Sequence, residues 1–343
     1  MEKIGLILYG VGAVGSRIAK FLLQKEGVEI VGAIDVAEDK VRKDLGEVLG
    51  VGKQLGITVS DNPDHVFSQV KADVVVHATS SFLQQTYPQI AKAVKHGLNV
   101  VSTCEELSYP YTSDPNMTKK LHDLAEEHGA TVLGTGINPG FLMDTLVITL
   151  TGVCQKIDKI EVKRVMNAGT RRVPFQKKIG AGLSLKEFKA KMKSKAITGH
   201  VGLEQSISMI ASAIGWNLDR IEIDVVEPVV AEKHVESEAI QVKPGQAAGL
   251  KQSAGGVRRG KEAISLEFQA YIGAPEEYDS ITIKGVPNIH QKITPCVHGD
   301  LGTVAIIANS IPKVINAPPG LVTMKDLPIP SATLEDMRKY VPG

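Results

Sequence analysis

The 343-residue sequence has little of what marks a disulfide-stabilised or zinc-binding protein. It contains only three cysteines, Cys104, Cys154 and Cys296, which lie far apart and form no CxxC or CxxH pair. An odd number of widely spaced cysteines argues against a disulfide framework and against a zinc site. We therefore predict free thiols, no bound metal and a reducing compartment.

The sequence also lacks an excess of charge and a long hydrophobic run. Its 39 Lys and Arg residues are balanced by 38 Asp and Glu residues, which leaves a net charge of +1. Such a surface has no global field to attract nucleic acid or an anionic membrane. We find no signal sequence, and no apolar run approaches the roughly 18 residues that a membrane span needs. We expect a soluble, cytoplasmic protein whose partner is a small molecule.

The first 140 residues alternate short apolar runs with helical periods. The pattern predicts strands at 4–10, 28–35, 72–80, 98–104 and 130–140, and helices at 13–25, 38–49, 82–97 and 115–128. Strands separated by helices of this length need crossover connections, so the sheet should be parallel and covered on both faces. The fold class is therefore α/β, with a Rossmann-type doubly wound sheet.

Longer and partly alternating strands are predicted beyond residue 150. They lie at 157–168, 219–231, 262–273 and 279–285, with helices near 184–192 and 200–214. These elements indicate a second domain of α+β type with a mostly antiparallel sheet.

Two further segments complete the predicted organisation. Residues 244–261 have the composition of a flexible basic loop, either a solvated hairpin connection or an active-site lid. A helix at 299–312, limited by Pro312, is expected to pack on the first domain. The predicted domains are thus 1–140 completed by 299–343, which binds a dinucleotide, and 141–298, which binds the substrate.

A glycine-rich turn follows the first predicted strand and opens the first helix. In a dinucleotide-binding fold the three glycines of GxGxxG allow a tight turn, a close approach to the pyrophosphate and close helix–strand packing. Asp35 ends the second strand, where its carboxylate can accept hydrogen bonds from the adenosine ribose. The alternative is a structural turn with an unrelated surface aspartate. The predicted cofactor loop consists of Gly10, Val11, Gly12, Ala13, Val14 and Gly15.

The same aspartate bears on the choice of cofactor. A carboxylate at Asp35 would repel the 2′-phosphate of NADP, and Val36 and Ala37 supply no adjacent cation. We therefore predict NAD over NADP. Arg42 and Lys43 are close enough in sequence to leave NADP use open.

Polar residues follow two later strands of the same sheet. Ligands of open α/β sheets bind outside the carboxyl ends of the strands, so both segments should face the nicotinamide half of the cofactor. Glu105 and Glu106 are candidates for a general base, although a solvated acidic turn is the alternative. Thr79 and Ser80 can also cap the helix that follows them. The predicted cofactor contacts here are Ala78, Thr79, Ser80, Thr103 and Cys104.

Three segments carry a family resemblance. Residues 100–110 (VVSTCEELSYP), 134–146 (GTGINPGFLMDTL) and 298–328, together with GxGxxG and Asp35, resemble the 2,4-diaminopentanoate dehydrogenases and the related native amine dehydrogenases. Both belong to the wider dihydrodipicolinate reductase-like group. The resemblance implies NAD(P)-dependent oxidative deamination of 2,4-diaminopentanoate to 2-amino-4-oxopentanoate and ammonia. It also leads us to expect reverse amination of short ketones. It also implies a homodimer formed through the second domain, and a catalytic glutamate at Glu105, with Glu106 left open.

A substrate that carries a carboxylate also needs a cation. The resemblance points to Asn138, Arg164 and His200 as pocket residues, and Asn138 also lies next to the predicted cofactor site. Each has a plainer alternative, since Arg164 can be a surface or interface residue and the other two can cap helices. Further candidate cations are Arg171 and Arg172, which can instead form a solvated turn, and Lys177 and Lys178.

Two rival functions remain at this point. A cyclic-imine reductase of the dihydrodipicolinate reductase type would use the same cofactor but release no ammonia. A non-catalytic NAD-binding protein would keep the fold without a base. The glutamate pair favours an enzyme, because an amine can lose hydride only after its ammonium form has lost a proton.

Overall fold

The computed structural model describes residues 2–341 and has two compact units. One unit comprises Met1–Phe141 with Gly299–Gly343, and the other comprises Leu142–His298. No helix within residues 2–341 is both long and apolar enough to cross a membrane.

The first unit begins with alternating strands and helices. Its strands are β1 (Ile4–Tyr9), β2 (Val28–Ile34), β3 (Val59–Ser60), β4 (Val74–His77), β5 (Asn99–Ser102) and β6 (Thr131–Gly134). Its helices are α1 (Ala13–Leu22), α2 (Leu45–Leu49), α3 (Pro63–Gln69), α4 (Leu83–Lys95) and α5 (Pro115–Glu127). β1, β4 and β6 are buried throughout, as expected for strands covered on both faces.

The second unit is built on a larger mixed sheet. Its helices are α6 (Thr145–Thr151), α7 (Val173–Lys178), α8 (Leu185–Lys193) and α9 (Leu203–Ala213). Its strands are β7 (Lys156–Asn167), β8 (Arg220–Ile223), β9 (Glu227–Val230), β10 (Val235–Glu236), β11 (Gln241–Val242), β12 (Ala247–Arg258), β13 (Lys261–Tyr271), β14 (Tyr278–Val286) and β15 (Ile289–Ile293). The main sheet has the order β15-β14-β7-β13-β12-β8, and within it only the β7–β13 pair is parallel.

The chain then returns to the first unit. α10 (Gly299–Ile315) packs on α1 and beneath the central strands, and β16 (Gly320–Val322) pairs in parallel with β6. The complete sheet is parallel, in the order β16-β6-β5-β4-β1-β2-β3. The predicted fold class is confirmed, as is the packing of the 299–312 helix on the first domain.

Two helix predictions in the first unit were wrong in extent. The helix predicted at 38–49 contains only Leu45–Leu49, because Arg42 has a φ of +68° and Asp44 caps the helix by accepting a hydrogen bond from Gly46 N–H at 2.7 Å. Pro312 does not end α10, which continues to Ile315. It is buried within the helix, and packing there outweighs the lost backbone hydrogen bond.

The prediction of a flexible loop at 244–261 was also wrong. Most of this segment forms β12, which pairs with β13 on one side and with β8 and β9 on the other. Its glycines permit close packing: a Cβ at Gly249 would lie 2.0 Å from Ala270 O, and one at Gly256 would lie 2.9 Å from Ile207 Cγ2 on α9. The segment predicted as one strand at 219–231 is divided between β8 and β9.

Candidate active site

The turn between β1 and α1 has the geometry that a dinucleotide needs. Gly10 has a φ of +96°, and a Cβ there would lie 2.4 Å from Ala78 O. A Cβ at Gly15 would lie 1.9 Å from Gly10 O, so only glycine allows the helix to approach the turn. At Gly12, by contrast, such a Cβ would meet no heavy atom of the described chain within 4 Å, apart from its two neighbours in sequence. Gly12 therefore borders open space, as expected where a pyrophosphate approaches the backbone.

The N-terminus of α1 faces the same space. Within residues 2–341 no side chain caps it, since Gly12 is the N-cap residue and Ala13 and Val14 follow as the first helical residues. An uncapped helix N-terminus offers N–H donors and a partial positive charge to phosphate. The loop from Gly10 to Gly15 thus fits a dinucleotide.

Asp35 follows β2 directly and is held in place by the same turn. Its carboxylate accepts hydrogen bonds from Val11 N–H at 2.8 Å and Ala37 N–H at 2.9 Å, and Lys40 Nζ lies 3.1 Å from it. Burial raises the pKa of Asp35, but the two N–H groups and the ammonium outweigh this effect and hold the pKa below its usual value. Asp35 is therefore an ionised acceptor at neutral pH, and Lys40 is a cation beside it that the sequence analysis missed.

The residues after β4 form a hydrogen-bonded loop. Thr79 Oγ1 donates to Gln89 Oε1 at 2.7 Å, and Ser80 Oγ donates to Gln85 Oε1 at 2.5 Å. The alternative that Thr79 or Ser80 is the N-cap of α4 was wrong, because the N-cap is Phe82. Ala78 lies against Gly10 through its carbonyl.

The residues after β5 divide between core and surface. Thr103 is half-buried and its N–H donates to His77 O at 2.9 Å. Cys104 is fully buried and its Sγ accepts a hydrogen bond from the Thr86 hydroxyl at 3.4 Å. Burial raises the pKa of the Cys104 thiol to about 11, so it stays a neutral thiol. Among the predicted cofactor contacts, Cys104 can therefore take part only through its main chain.

The two adjacent glutamates have different environments. Glu106 Oε2 accepts a hydrogen bond from Leu83 N–H at 2.7 Å, and so caps α4 from outside the helix. Glu106 N–H also donates to Ser81 O at 3.1 Å. Glu105 begins a 3₁₀ turn at Glu106–Ser108, and its carbonyl accepts from Ser108 N–H at 3.2 Å and Ser108 Oγ at 2.8 Å. Both side chains are half-buried, so neither is turned fully into solvent.

Asn138 lies in the turn between β6 and α6. The alternative that it caps the following helix was wrong, because α6 begins at Thr145 and its N-cap is Asp144. Asn138 is half-buried, and the N–H of the preceding residue, Ile137, donates to Thr303 Oγ1 of α10 at 3.3 Å. Its predicted contacts with cofactor and substrate remain predictions.

Arg164 is a buried residue of the second unit. Only 1% of its surface is exposed, so the alternative of a surface residue was wrong. Its guanidinium donates to Asp279 Oδ1 at 2.6 Å and to Val297 O, while Asp279 Oδ2 accepts from Val297 N–H at 2.8 Å. Burial raises the pKa of Asp279, and the guanidinium and this N–H oppose the rise. Through these hydrogen bonds Arg164 connects β7 to Asp279 on β14 and to the main chain at Val297. Its predicted contact with the substrate remains a prediction.

His200 contacts β12 and β13 of the second unit. Its ring stacks on Phe268 with 4.5 Å between centroids and 10° between planes. The main-chain N–H of His200 donates to Gln252 Oε1 at 2.9 Å. Burial, with the charges of Arg164 and Lys178, lowers the pKa of His200 to about 3, so the ring is neutral. The alternative that it caps a helix was wrong, since α9 begins at Leu203 after Gly202.

The remaining candidate cations lie in and before α7. Arg171 is half-buried and its guanidinium lies over the Phe175 ring, 5.0 Å from the centroid. Arg172 is the N-cap residue of α7, and Lys177 and Lys178 are exposed in its last turn. The cation–π contact indicates a more ordered place for Arg171 than a solvated turn.

Comparisons with known proteins agree with these features. The sequence profile of the 2,4-diaminopentanoate dehydrogenase C-terminal domain matches residues 141–342, and that of the dihydrodipicolinate reductase N-terminus matches residues 4–109. The 2,4-diaminopentanoate dehydrogenase of Acetoanaerobium sticklandii is 36% identical over 99% of this chain and 98% of its own. An amine dehydrogenase of Streptomyces virginiae is 23% identical over 95% of this chain and 96% of its own. The structure of amine dehydrogenase from Mycobacterium smegmatis aligns with a TM-score of 0.83 and 30% identity, over 97% of this chain and 98% of that one.

The chain belongs to the 2,4-diaminopentanoate dehydrogenase family. The predicted family is thereby confirmed, as is the prediction of an oxidoreductase that acts on a CH–NH₂ group. Membership in this dehydrogenase family, with the glycine turn described above, identifies the cofactor class as a nicotinamide dinucleotide.

Sequence reasoning missed several residues that contact the candidate residues of each unit. Lys40 was overlooked because only Arg42 and Lys43 were considered as nearby cations, although an offset of five residues across a turn brings Lys40 to the Asp35 carboxylate. Asp279 was missed because a single acid in an alternating strand carries no motif. His77 and Gln89 were missed because their bonds connect residues 12 or more apart.

Proposed function

We propose that this protein oxidatively deaminates 2,4-diaminopentanoate to 2-amino-4-oxopentanoate and ammonia, with Glu105 as the general base. Similarity to a 2,4-diaminopentanoate dehydrogenase over 99% of the chain supports the substrate. A glutamate at the carboxyl end of β5, where ligands of such sheets bind, supports the chemistry. Reverse amination of short ketones belongs to the same proposal, because two of the similar proteins are amine dehydrogenases.

The local contacts favour Glu105 over Glu106 as the base. The Glu106 carboxylate is occupied by Leu83 N–H, and its removal would leave the N-terminus of α4 without that acceptor. The main chain of Glu105 is anchored by Ser108, whose N–H and hydroxyl both donate to the Glu105 carbonyl oxygen. The arrangement orients the main chain of Glu105 and assigns the capping role to its neighbour.

The chemistry of the proposal follows from protonation states. A bound nicotinamide supplies the hydride acceptor. The substrate amine arrives as an ammonium, which the Glu105 carboxylate can pair with and then deprotonate, so that the nitrogen lone pair assists departure of the hydride. The protonated Glu105 then passes its proton to solvent, and the restored carboxylate can accept a proton from the water that adds to the iminium carbon. Return of that proton to the carbinolamine nitrogen makes ammonia the leaving group. Collapse of the carbinolamine releases ammonia and leaves the ketone.

We further propose NAD as the preferred cofactor. The ionised Asp35 favours ribose hydroxyl groups and repels a 2′-phosphate. Lys40 weakens that repulsion, so NADP should be used with lower efficiency rather than excluded. The family resemblance and the free cysteines further support a homodimer that works in the cytoplasm.

A cyclic-imine reductase is the alternative function. It is favoured by the match of residues 4–109 to the dihydrodipicolinate reductase N-terminus. That match does not extend into the second unit, whereas the diaminopentanoate dehydrogenase profile covers residues 141–342. The whole-chain similarity therefore supports deamination.

The test is to incubate the protein with NAD and either 2,4-diaminopentanoate or simple amines, and separately with NADH and dihydrodipicolinate, and to follow nicotinamide absorbance and ammonia together. Glu105→Gln should bind NADH normally but lose at least about 100-fold in kcat, the lower end expected for a general base. Glu106→Gln is the matched control, because a glutamine oxygen can still accept from Leu83 N–H and turnover should fall much less. Cofactor reduction without ammonia would reject deamination, and normal turnover of Glu105→Gln would reject the assigned base.

A further inference from the structure

His77 lies at the end of β4, between the two loops that were assigned to the active site. Only 1% of its surface is exposed, and both of its ring nitrogens are hydrogen-bonded. Nδ1 lies 2.9 Å from Ser102 Oγ at the end of β5, and Nε2 lies 2.8 Å from Gln89 Oε1 on α4. The imidazole therefore joins both strand ends to the helix between them.

The acceptors around the ring determine its tautomer. Nε2 has two neighbours, Gln89 Oε1 at 2.8 Å and Thr79 Oγ1 at 3.1 Å. The single Thr79 hydroxyl proton goes to Gln89 Oε1 at 2.7 Å, and Gln89 Oε1 can only accept, so Nε2 of His77 carries the proton between them. Nδ1 is then the acceptor, and the Ser102 hydroxyl donates to it. Ser102 Oγ in turn accepts from Cys104 N–H at 3.1 Å. The chain of donors thus runs from the Cys104 main chain through Ser102 to the imidazole, and from the imidazole to Gln89.

One face of α4 completes this network. Leu83, Thr86 and Gln89 are three residues apart and so lie on the same side of the helix. Leu83 N–H donates to Glu106, the Thr86 hydroxyl to Cys104 Sγ, and Gln89 accepts from Thr79. The residues on both sides of Glu105 are therefore anchored to α4.

We propose that His77 is a positioning residue that holds the main chain at Cys104, and through it Glu105, in the geometry required for catalysis. The proposal rests on the role of Glu105 given above. His77 touches neither substrate nor cofactor in this proposal. It acts through Ser102, and the two strand ends keep their spacing because a single rigid ring spans them.

The electrostatic environment of the ring agrees with this role. Burial lowers the pKa of His77 to about 4, so the ring keeps one protonation state at neutral pH. The edge-on contact with Tyr9, 5.4 Å between ring centroids, further restricts its orientation. A neutral ring with two fixed partners provides a constant distance between the strand ends.

The first experiment measures the tautomer in the protein without cofactor. In nitrogen NMR of the ¹⁵N-histidine-labelled protein, the signals that disappear in His77→Phe belong to this ring. They should show a protonated Nε2 and an unprotonated Nδ1 at neutral pH. An imidazolium, or a proton on Nδ1, would overturn the proposal.

The second experiment separates positioning from folding. His77→Phe and Ser102→Ala should each lower kcat by roughly 10- to 100-fold, the range expected for a misplaced catalytic group, while NADH affinity measured by calorimetry changes little. The affinity should persist because Thr79 Oγ1, although it loses its 3.1 Å contact with Nε2, keeps its stronger bond to Gln89. Gln84→Met, an exposed position on the same helix, is the control and should retain full activity. Unchanged kcat in Ser102→Ala would overturn the proposal even if His77→Phe does not fold.

A double variant tests whether His77 acts through Glu105. Added to Glu105→Gln, His77→Phe should cause little further loss of kcat, because the group that it positions is already gone. If the losses of kcat in the two single variants multiplied in the double variant, His77 would act independently of Glu105 and the proposal would be overturned. If Glu105→Gln alone were fully active, the assigned base would be wrong, whereas the tautomer experiment would still report on the network itself.

Discussion

Alanine substitutions at Gly12 and Gly15 should affect different properties of the protein, although both glycines belong to one motif. A Cβ at Gly12 meets no heavy atom within 4 Å, and the residue has an extended backbone with a φ of −79° that alanine adopts freely. A Cβ at Gly15 would lie 1.9 Å from Gly10 O and 3.0 Å from Gly10 C. Gly12→Ala should therefore impair only dinucleotide binding, whereas Gly15→Ala should destabilise the fold as well.

The magnitudes follow from these contacts. At Gly12, loss of chain entropy in the unfolded state favours alanine by about 0.4–1 kcal/mol, and the weaker N-cap opposes it by a similar amount, so stability should be nearly unchanged. Displacing a phosphate from one charge-assisted hydrogen bond should cost about 1.5–3 kcal/mol, which is roughly a 10- to 150-fold loss of NADH affinity. At Gly15 the contact is with backbone that cannot rotate away, so overpacking should cost about 1–3 kcal/mol of unfolding free energy.

Two measurements on each variant check this reasoning. Urea unfolding without cofactor gives the free energy of unfolding, and calorimetric titration with NADH gives the dissociation constant. If Gly12→Ala bound NADH like the unmodified protein, the open space beside Gly12 would not hold the pyrophosphate. If Gly15→Ala were as stable as Gly12→Ala, the contact with the Gly10 backbone would not limit the fold.

Three further predictions concern buried charge, pH and cofactor choice. Arg164→Met should lower the free energy of unfolding in urea by about 3–5 kcal/mol, because it leaves Asp279 buried without its cation. The double variant with Asp279→Leu should lose less, because only the Val297 N–H and carbonyl then lack these partners. The pKa of His77 is about 4 in the folded protein, below the value of about 6.5 for an unfolded chain, so the neutral ring stabilises the fold fully above pH 6.5. This contribution of about 3 kcal/mol to the free energy of unfolding should be lost as the pH falls from 6.5 to 4. The loss should be absent in His77→Phe. Asp35→Asn should shift the ratio of kcat/KM towards NADP by at least about tenfold, or 1.4 kcal/mol, because Lys40 then faces the 2′-phosphate alone.

The sequence predicted the dinucleotide-binding half of the fold more accurately than the other half. Its strands are continuous apolar runs between glycine-marked helices, a pattern with few other structural solutions, and β1, β4 and β6 all lie within their predicted ranges. Short elements escaped prediction because their pattern spans too few residues. β3 has two residues, and α3 has seven that begin after the Asn62 cap.

The error at β12 has a different origin. Glycine and alanine reduce the side-chain signal for a strand, and glycine ordinarily indicates a loop. In the structure these small residues are what the neighbours require, since α9 lies against Gly256 and the β13 backbone lies against Gly249. A glycine can form a turn or let another segment of the same chain approach closely. Which of the two occurs depends on contacts distant in sequence, and composition does not show them.

The same limit applies to the two glutamates. In sequence, Glu105 and Glu106 are equivalent, because both follow β5 and both carry a carboxylate at the proper end of the sheet. Their difference arises from α4, whose N-terminal N–H at Leu83 needs an acceptor that Phe82, the N-cap residue, cannot supply. Glu106 meets that need, and its capping role is the reason for proposing its neighbour Glu105 as the base. The assignment of the base thus depends on how a helix that carries no catalytic group is capped.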